Sequence, residues 1–213
     1  MRGEPSCPKC GGRVRAPGLF ADSWQCAVHG AVHPVQPVVP PSVDSIAVVV
    51  HHTQVPVWMP WPLPVGWLFT GIAYAGDDRT GGRATAVACS GPGPLGGTSE
   101  LILIAEEIGV GLGARYAGID GPDPGPYMTV EKPAEAKVLA VGRPTPLWHV
   151  SGTPGDRAVF AGEAGGLWLW AVVWPEQAGL LMYEELVLTD LRDAGAEIEL
   201  LPCGALSRRL LQP

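Results

Sequence analysis

The 213-residue chain contains no asparagine, and lysine supplies only three of its 14 basic residues. Both absences carry the imprint of a GC-rich genome and select no function. Long apolar runs are missing too. The longest strong one, Leu167 to Trp174, has eight residues, far short of the roughly 18 that a membrane-crossing helix needs. The opening residues, MRGEPSCPKC, hold no apolar stretch of the kind a secretory signal requires. A cytoplasmic protein with no membrane contact is therefore expected. Positive charge is also scarce: 14 basic against 21 acidic residues leave a net charge of −7. Residues 1–36 carry Arg2, Lys9, Arg13 and Arg15 against Glu4 and Asp22, a net of +2, so the remainder carries −9. An acidic body argues against broad binding of nucleic acid, which needs cations over the phosphates. The basic head still permits a small local contact.

Hydrophobic residues make up 46% of the chain, enough to bury a core, so a wholly disordered protein is excluded. The 29 glycines and 23 prolines are spread between apolar runs, a pattern of short strands and many turns. The length suits one main domain with a small appendage. Five cysteines, an odd number, include one Cys-x-x-Cys pair. In a reducing compartment that pattern favours a metal over disulfides.

The pair is Cys7 and Cys10, followed by Gly11. Fifteen residues later come Cys26 and His29, followed by Gly30. The two halves match in spacing and in the trailing glycine, which permits the positive φ such turns need. That match selects His29 over His33 as the fourth ligand. Three thiolates and an imidazole suit Zn²⁺. A filled four-ligand shell leaves no open position, so the expected role is structural. A thioredoxin-like redox pair would need a βαβ context, which the Gly/Pro-rich flanks do not supply. So small a segment cannot fold on its buried area alone, and metal binding would supply the difference.

This head resembles a zinc ribbon. Taken with the body motifs VPVWMPWPLPVGW, GVGLGARYAGIDGPDPGPY and LWLWAVVWPEQ, the whole chain resembles a family of conserved proteins of high-GC Gram-positive bacteria, known only as a domain of unknown function. The resemblance implies no activity and carries over no residues beyond the four ligands.

Three regions are expected: a zinc-ribbon-like head over residues 1–36, a proline-rich linker over 37–44, and an α+β body over 45–213. Four prolines between Pro34 and Pro41 favour an extended spacer, with an arm packed on the body as the alternative. In the body, Ile46–Val50, Trp67–Tyr74, Ala84–Cys89, Leu101–Ala105, Arg157–Ala161 and Leu167–Trp174 read as strands, the last two joined in a hairpin. Pro133–Val141 reads as a short helix. Leu180–Ala194 reads as the best one, with Leu180, Tyr183, Val187, Leu191 and Ala194 on one face. Glu197–Leu201 reads as a final strand. The fold class is α+β: a small zinc ribbon, then a mostly antiparallel sheet with one or two helices.

Candidate sites in the body are weaker. Gly91, Gly93 and Gly96 match a phosphate-loop spacing, but Pro92 and Pro94 remove N–H donors and a strand follows, so a plain loop is expected. His51 and His52 would face opposite ways in a strand, and one of them could pair with His149 on a second metal. Cys89 and Cys203 read as buried small hydrophobes. The pairs Asp77/Asp78, Glu106/Glu107 and Glu184/Glu185 read as solvated surface. Asp120 and Asp123 lie in a loop with few apolar anchors. Trp58, Trp61 and Trp67, interleaved with prolines, form either a docking platform or an arm that completes the core. No nucleophile–base pair stands out, and catalytic residues are not assigned. The expected function is a non-enzymatic recognition or adaptor protein whose partner is another protein. The alternatives are nucleic-acid contact through Lys9, Arg13 and Arg15, or an enzyme with its site in the body.

Overall fold

A computed structural model describes residues 3–19 and 21–211. Arg2, counted above among the head cations, lies outside the described residues. The head holds three two-residue strands, β1 (Val14–Arg15), β2 (Gln25–Cys26) and β3 (Gly30–Ala31), in one antiparallel sheet. Next comes helix α1 (Val43–His52), where a β-branched run had pointed to a strand. Its start explains the difference. The Ser42 hydroxyl accepts from the Ser45 N–H while the Ser45 hydroxyl accepts from the Ser42 N–H, each at 3.1 Å. This reciprocal cap, with Asp44 in the first turn, overrides strand propensity. Ile46 and Val49, three apart, then bury one face.

The remaining strands are β4 (Trp58–Pro60), β5 (Leu68–Asp77), β6 (Gly81–Pro92), β7 (Thr98–Glu106), β8 (Ala136–Ala140), β9 (Arg143–His149), β10 (Ala158–Ala164), β11 (Leu167–Trp174) and β12 (Leu186–Asp190). They form one nine-stranded sheet in the order β4-β12-β8-β9-β10-β11-β7-β6-β5. Every pairing is antiparallel except β8 with β12. The protein is thus a mostly sheet α+β fold with few helices.

The sheet is curled. Residues 54–57, just before β4, bond to strands far apart in the sheet order. The Gln54 N–H donates to the Gly82 carbonyl and the Thr85 hydroxyl to the Pro56 carbonyl, both on β6. The Val57 N–H donates to Asp190 at the end of β12. Side chains alternate across each strand, so the curl sorts them into two clusters. Leu101, Leu103, Leu169, Ala171 and Val173 point inward to one core. Ile102, Ile104, Trp170 and Val172 point outward to a second, beneath helix α2 (Leu112–Ala117) and Val35. Both faces are covered, which is why these strands read as unbroken apolar runs.

Small residues make the outer layer fit. Ala84, Ala86 and Ala88 line β6 on that face. A Cβ on Gly113 of α2 would lie 2.2 Å from the Trp170 indole nitrogen. The β5 edge is covered at both ends, which protects it from pairing with other chains. Residues 34–36 bond to it through Pro34 O with Gly76 N–H and Gln36 N–H with Tyr74 O, the contacts of a packed arm. Residues 202–207 bond to Phe69 and Thr70, ahead of helix α3 (Arg208–Leu211).

Several expectations fail. Pro133–Val141 is not a helix, because β8 occupies Ala136–Ala140. Leu180–Ala194 is a 3₁₀ segment over Glu176–Tyr183 followed by β12. Leu180, Tyr183 and Val187 of the supposed apolar face are exposed, while Leu186 and Leu188, two apart, are buried. Pairing with β8 and β4 decided this over helical spacing. Ala196–Leu200 is a 3₁₀ turn where a strand was expected. Cys203 is exposed, in contrast to buried Cys89. Glu106 is fully buried, not solvated. The Trp/Pro arm belongs largely to the core: Val55, Val57, Trp58, Met59 and Trp67 are buried. No helix among the described residues is long and apolar enough to cross a membrane.

Candidate metal centre

Two tight turns bring the metal-type residues together. In the first, the Gly11 N–H donates to the Cys7 carbonyl at 2.8 Å, with Gly11 at φ 69°. In the second, β2 ends at Cys26, which pairs with Gly30 at φ 67° across the turn that carries His29. Both glycines occupy the left-handed region, where a side chain would be strained. β1 pairs Val14 with Cys26 and so closes one turn onto the other.

The outcome is a cluster. The side-chain ligand atoms of Cys7, Cys10, Cys26 and His29 all lie within 4.8 Å of one another. Cys7 Sγ and Cys26 Sγ each lie 3.6 Å from His29 Nδ1, and Cys10 Sγ lies 3.8 Å from Cys26 Sγ. The group is close enough to hold a metal ion. Among the described residues no other group of three or more His, Cys, Asp or Glu side chains converges in this way.

The sulfurs are not equivalent. Burial pushes the Cys7 thiol up to about 11, against the pull of the Cys10 and Lys9 N–H groups. Cys26 lies down at about 6, because the Val28 and His29 N–H groups point at its sulfur. Backbone donors of this kind stabilise a thiolate ligand from outside the metal shell. Cys7 and Cys26 are buried, whereas Cys10 and His29 are exposed. His33 lies outside the cluster, half-buried beside Trp24 and Asp77. Burial and the Arg83 charge lower its pKa.

The cluster is docked on the body. Arg115 of α2 donates to the Cys7 carbonyl at 3.4 Å. Trp24 donates its indole N–H to Asp77 at 2.9 Å. Asp77 is desolvated, but donors from Thr80, Trp24 and Arg79 still hold its carboxyl below the ordinary range.

The body candidates do not converge. His51 and His52 lie in the last turn of α1, and His52 meets exposed Asp78 at 3.4 Å. His149 ends β9 and packs edge-on against Phe160. Cys89 is buried and its thiol is pushed up to about 12. Gly91 and Pro92 end β6, and residues 93–97 form the plain hairpin loop to β7. Asp123 accepts from the Gly109 N–H at 2.9 Å and fastens its own loop. Glu184 and Glu185 are exposed.

Sequence reasoning missed two buried carboxylates. Glu106 accepts the Leu112 and Gly113 N–H groups of α2 at 2.7 and 3.1 Å. Asp190 accepts the Val57 N–H at 3.0 Å and holds Arg192. Alternation along each strand was the available signal: Glu106 follows Ile102 and Ile104, and Asp190 follows Leu186 and Leu188.

A model of a family of unknown function (DUF6758) matches residues 1–210. The chain belongs to that family. No curated protein and no solved structure matches it.

Proposed function

We propose that this member of a family of unknown function is a non-enzymatic recognition or adaptor protein, whose zinc-ribbon-like head is built around a structural Zn²⁺. The four-residue cluster carries this reading. Zinc bonds of about 2.3 Å to sulfur and 2.0 Å to nitrogen put tetrahedral S···S and S···N separations near about 3.8 and 3.5 Å. The pairs at 3.8 and 3.6 Å match that shell. Three thiolates and one imidazole fill the coordination sphere, so the ion fastens the head and activates no water. Cys7, Cys10, Cys26 and His29 are its ligands. The exposed surface of the head carries Arg13 and Arg15, together with Val28 at the tip of the second turn. Recognition through this surface takes another protein as partner.

The test pairs metal analysis with affinity capture from native cytosol, with and without nuclease. Wild type should hold one zinc per chain and retain a nuclease-resistant protein partner. The Cys7→Ser/Cys10→Ser variant should lose both. A nuclease-sensitive partner would replace the adaptor reading with nucleic-acid contact through Lys9, Arg13 and Arg15. A chain that carries no zinc after metal-sparing purification would overturn the structural-site reading.

A further inference from the structure

The curled sheet has a mouth. At one end, the turn between β8 and β9, the turn between β10 and β11, the end of β12 and the segment before β4 surround a cavity of about 690 Å³. Its size falls within the roughly 300–1,000 Å³ of small-molecule sites, which recur at barrel mouths. Strand alternation sets its lining. Ala140 follows Ala136 and Val138, Ala164 follows Ala158 and Phe160, and Leu167 precedes Leu169; each therefore faces the inner core. Trp58 is paired with Asp190 across β4 and β12, on the same inner face. The inner walls are thus apolar apart from Thr145, the rim carries Gln54, Arg143, Glu163 and Asp193, and one polar group is set between the two.

That group is the Asp190–Arg192 pair. Asp190 is 5% exposed, and both its oxygens are occupied. One accepts from the Val57 and Arg192 N–H groups at 3.0 and 3.1 Å. The other accepts from Arg192 Nε and Nη2 at 2.9 and 2.6 Å. Arg192 Nη1 also donates to the Gln54 carbonyl at 3.1 Å. Three of its five N–H groups are thereby used, which immobilises the guanidinium and leaves two donors without an acceptor among the described residues. Asp190 has no oxygen left to offer, so the pair presents donors only.

We propose that this mouth is a binding site for a small, mainly apolar, neutral molecule that carries a hydrogen-bond-accepting carbonyl. The apolar walls take its body and the fixed Arg192 fork takes its oxygen. Neutral chemistry follows from the rim. With Asp190 and Arg192 offsetting each other, Glu163 and Asp193 outnumber Arg143, which opposes a full anion. The guanidinium charge and remaining donors of Arg192, which lines the cavity, oppose a cation. A further feature fits: Val141 at the rim is 67% exposed at φ 49°, a backbone that costs a β-branched side chain. Val141 and Gly142 form the two-residue turn between β8 and β9, and Val141 sets an aliphatic group at the rim.

The test titrates the full chain with octanamide, octanoate and octylamine by isothermal calorimetry. Octanamide should bind saturably, octanoate more weakly, and octylamine not at all. Arg192→Lys keeps the charge but loses the fork, and should weaken octanamide by about tenfold or more. Leu167→Trp and Pro144→Trp each fill the mouth; whichever keeps the wild-type melting temperature should abolish binding. Octanoate binding more tightly than octanamide would overturn the neutral assignment. No binding of any probe, octylamine binding as well as octanamide, or octanamide binding that survives the filled mouth would overturn the site.

Discussion

Glu106 offers the sharpest test of how this fold is held together. It is fully buried at the end of β7 and caps α2 through two backbone N–H groups. Burial lifts its carboxyl from an ordinary 4.5 to about 8, against the pull of the Leu112 and Gly113 N–H groups and the Trp170 indole. The charge of Asp123 adds to the rise. A folded-state pKa above the unfolded one means that the folded protein binds the extra proton. The stabilisation is complete below pH 4.5 and is lost as pH rises through about 8. At about 1.4 kcal/mol per pH unit, the loss is on the order of 4 kcal/mol between about pH 5 and 8. For a chain of this size that corresponds to about 3–5 °C in Tm per pH unit. Burial also lowers the pKa of His33 and raises that of Glu100, so wild-type melting alone does not isolate Glu106. The measurement is therefore a difference: melting of wild type and Glu106→Gln at matched pH. Glutamine mimics the neutral acid, so the two proteins should melt together near about pH 5, and the variant should melt progressively higher toward about pH 8. A constant difference across that window would refute the reasoning. Wild type gaining on the variant as pH rises would show that the α2 donors outweigh burial.

Three further outcomes follow from the packing. Gly113→Ala drives a Cβ into the Trp170 indole at 2.2 Å, and Trp170 is fully buried; urea unfolding should show a loss of about 2 kcal/mol or more. Asp190→Asn removes the buried charge that holds Arg192 and should cost about 2–3 kcal/mol by the same assay. Arg192 is one-third exposed and can rehydrate, which keeps the loss below that of a fully buried pair. Ser42→Ala breaks the reciprocal cap of α1 and should cost about 1 kcal/mol, with hydrogen exchange rising first over residues 43–46.

The sequence alone determined what depends on short-range pattern. Two turns with matched spacing and trailing glycines marked Cys7, Cys10, Cys26 and His29 as one group, because a metal shell needs its ligands a fixed few residues apart. Apolar runs bounded by glycine and proline marked β5, β6, β7, β10 and β11. Short-range pattern misled where partners lie far away in the chain. Leu180–Ala194 satisfies helical spacing, yet β12 forms there because β4 and β8 offer it hydrogen bonds from more than 45 residues back. The α1 run satisfies strand propensity, yet a serine cap and a face packed on the core make it a helix. Tertiary structure also decided which charges are buried. Glu106 sits beside Glu107 in sequence, but strand alternation buries one in the outer cluster beneath α2 and leaves the other paired with Arg83 at 2.7 Å. Only the curl of the sheet makes a mouth from four separate stretches of chain. Curl arises from the twist and order of strands, which no local window contains.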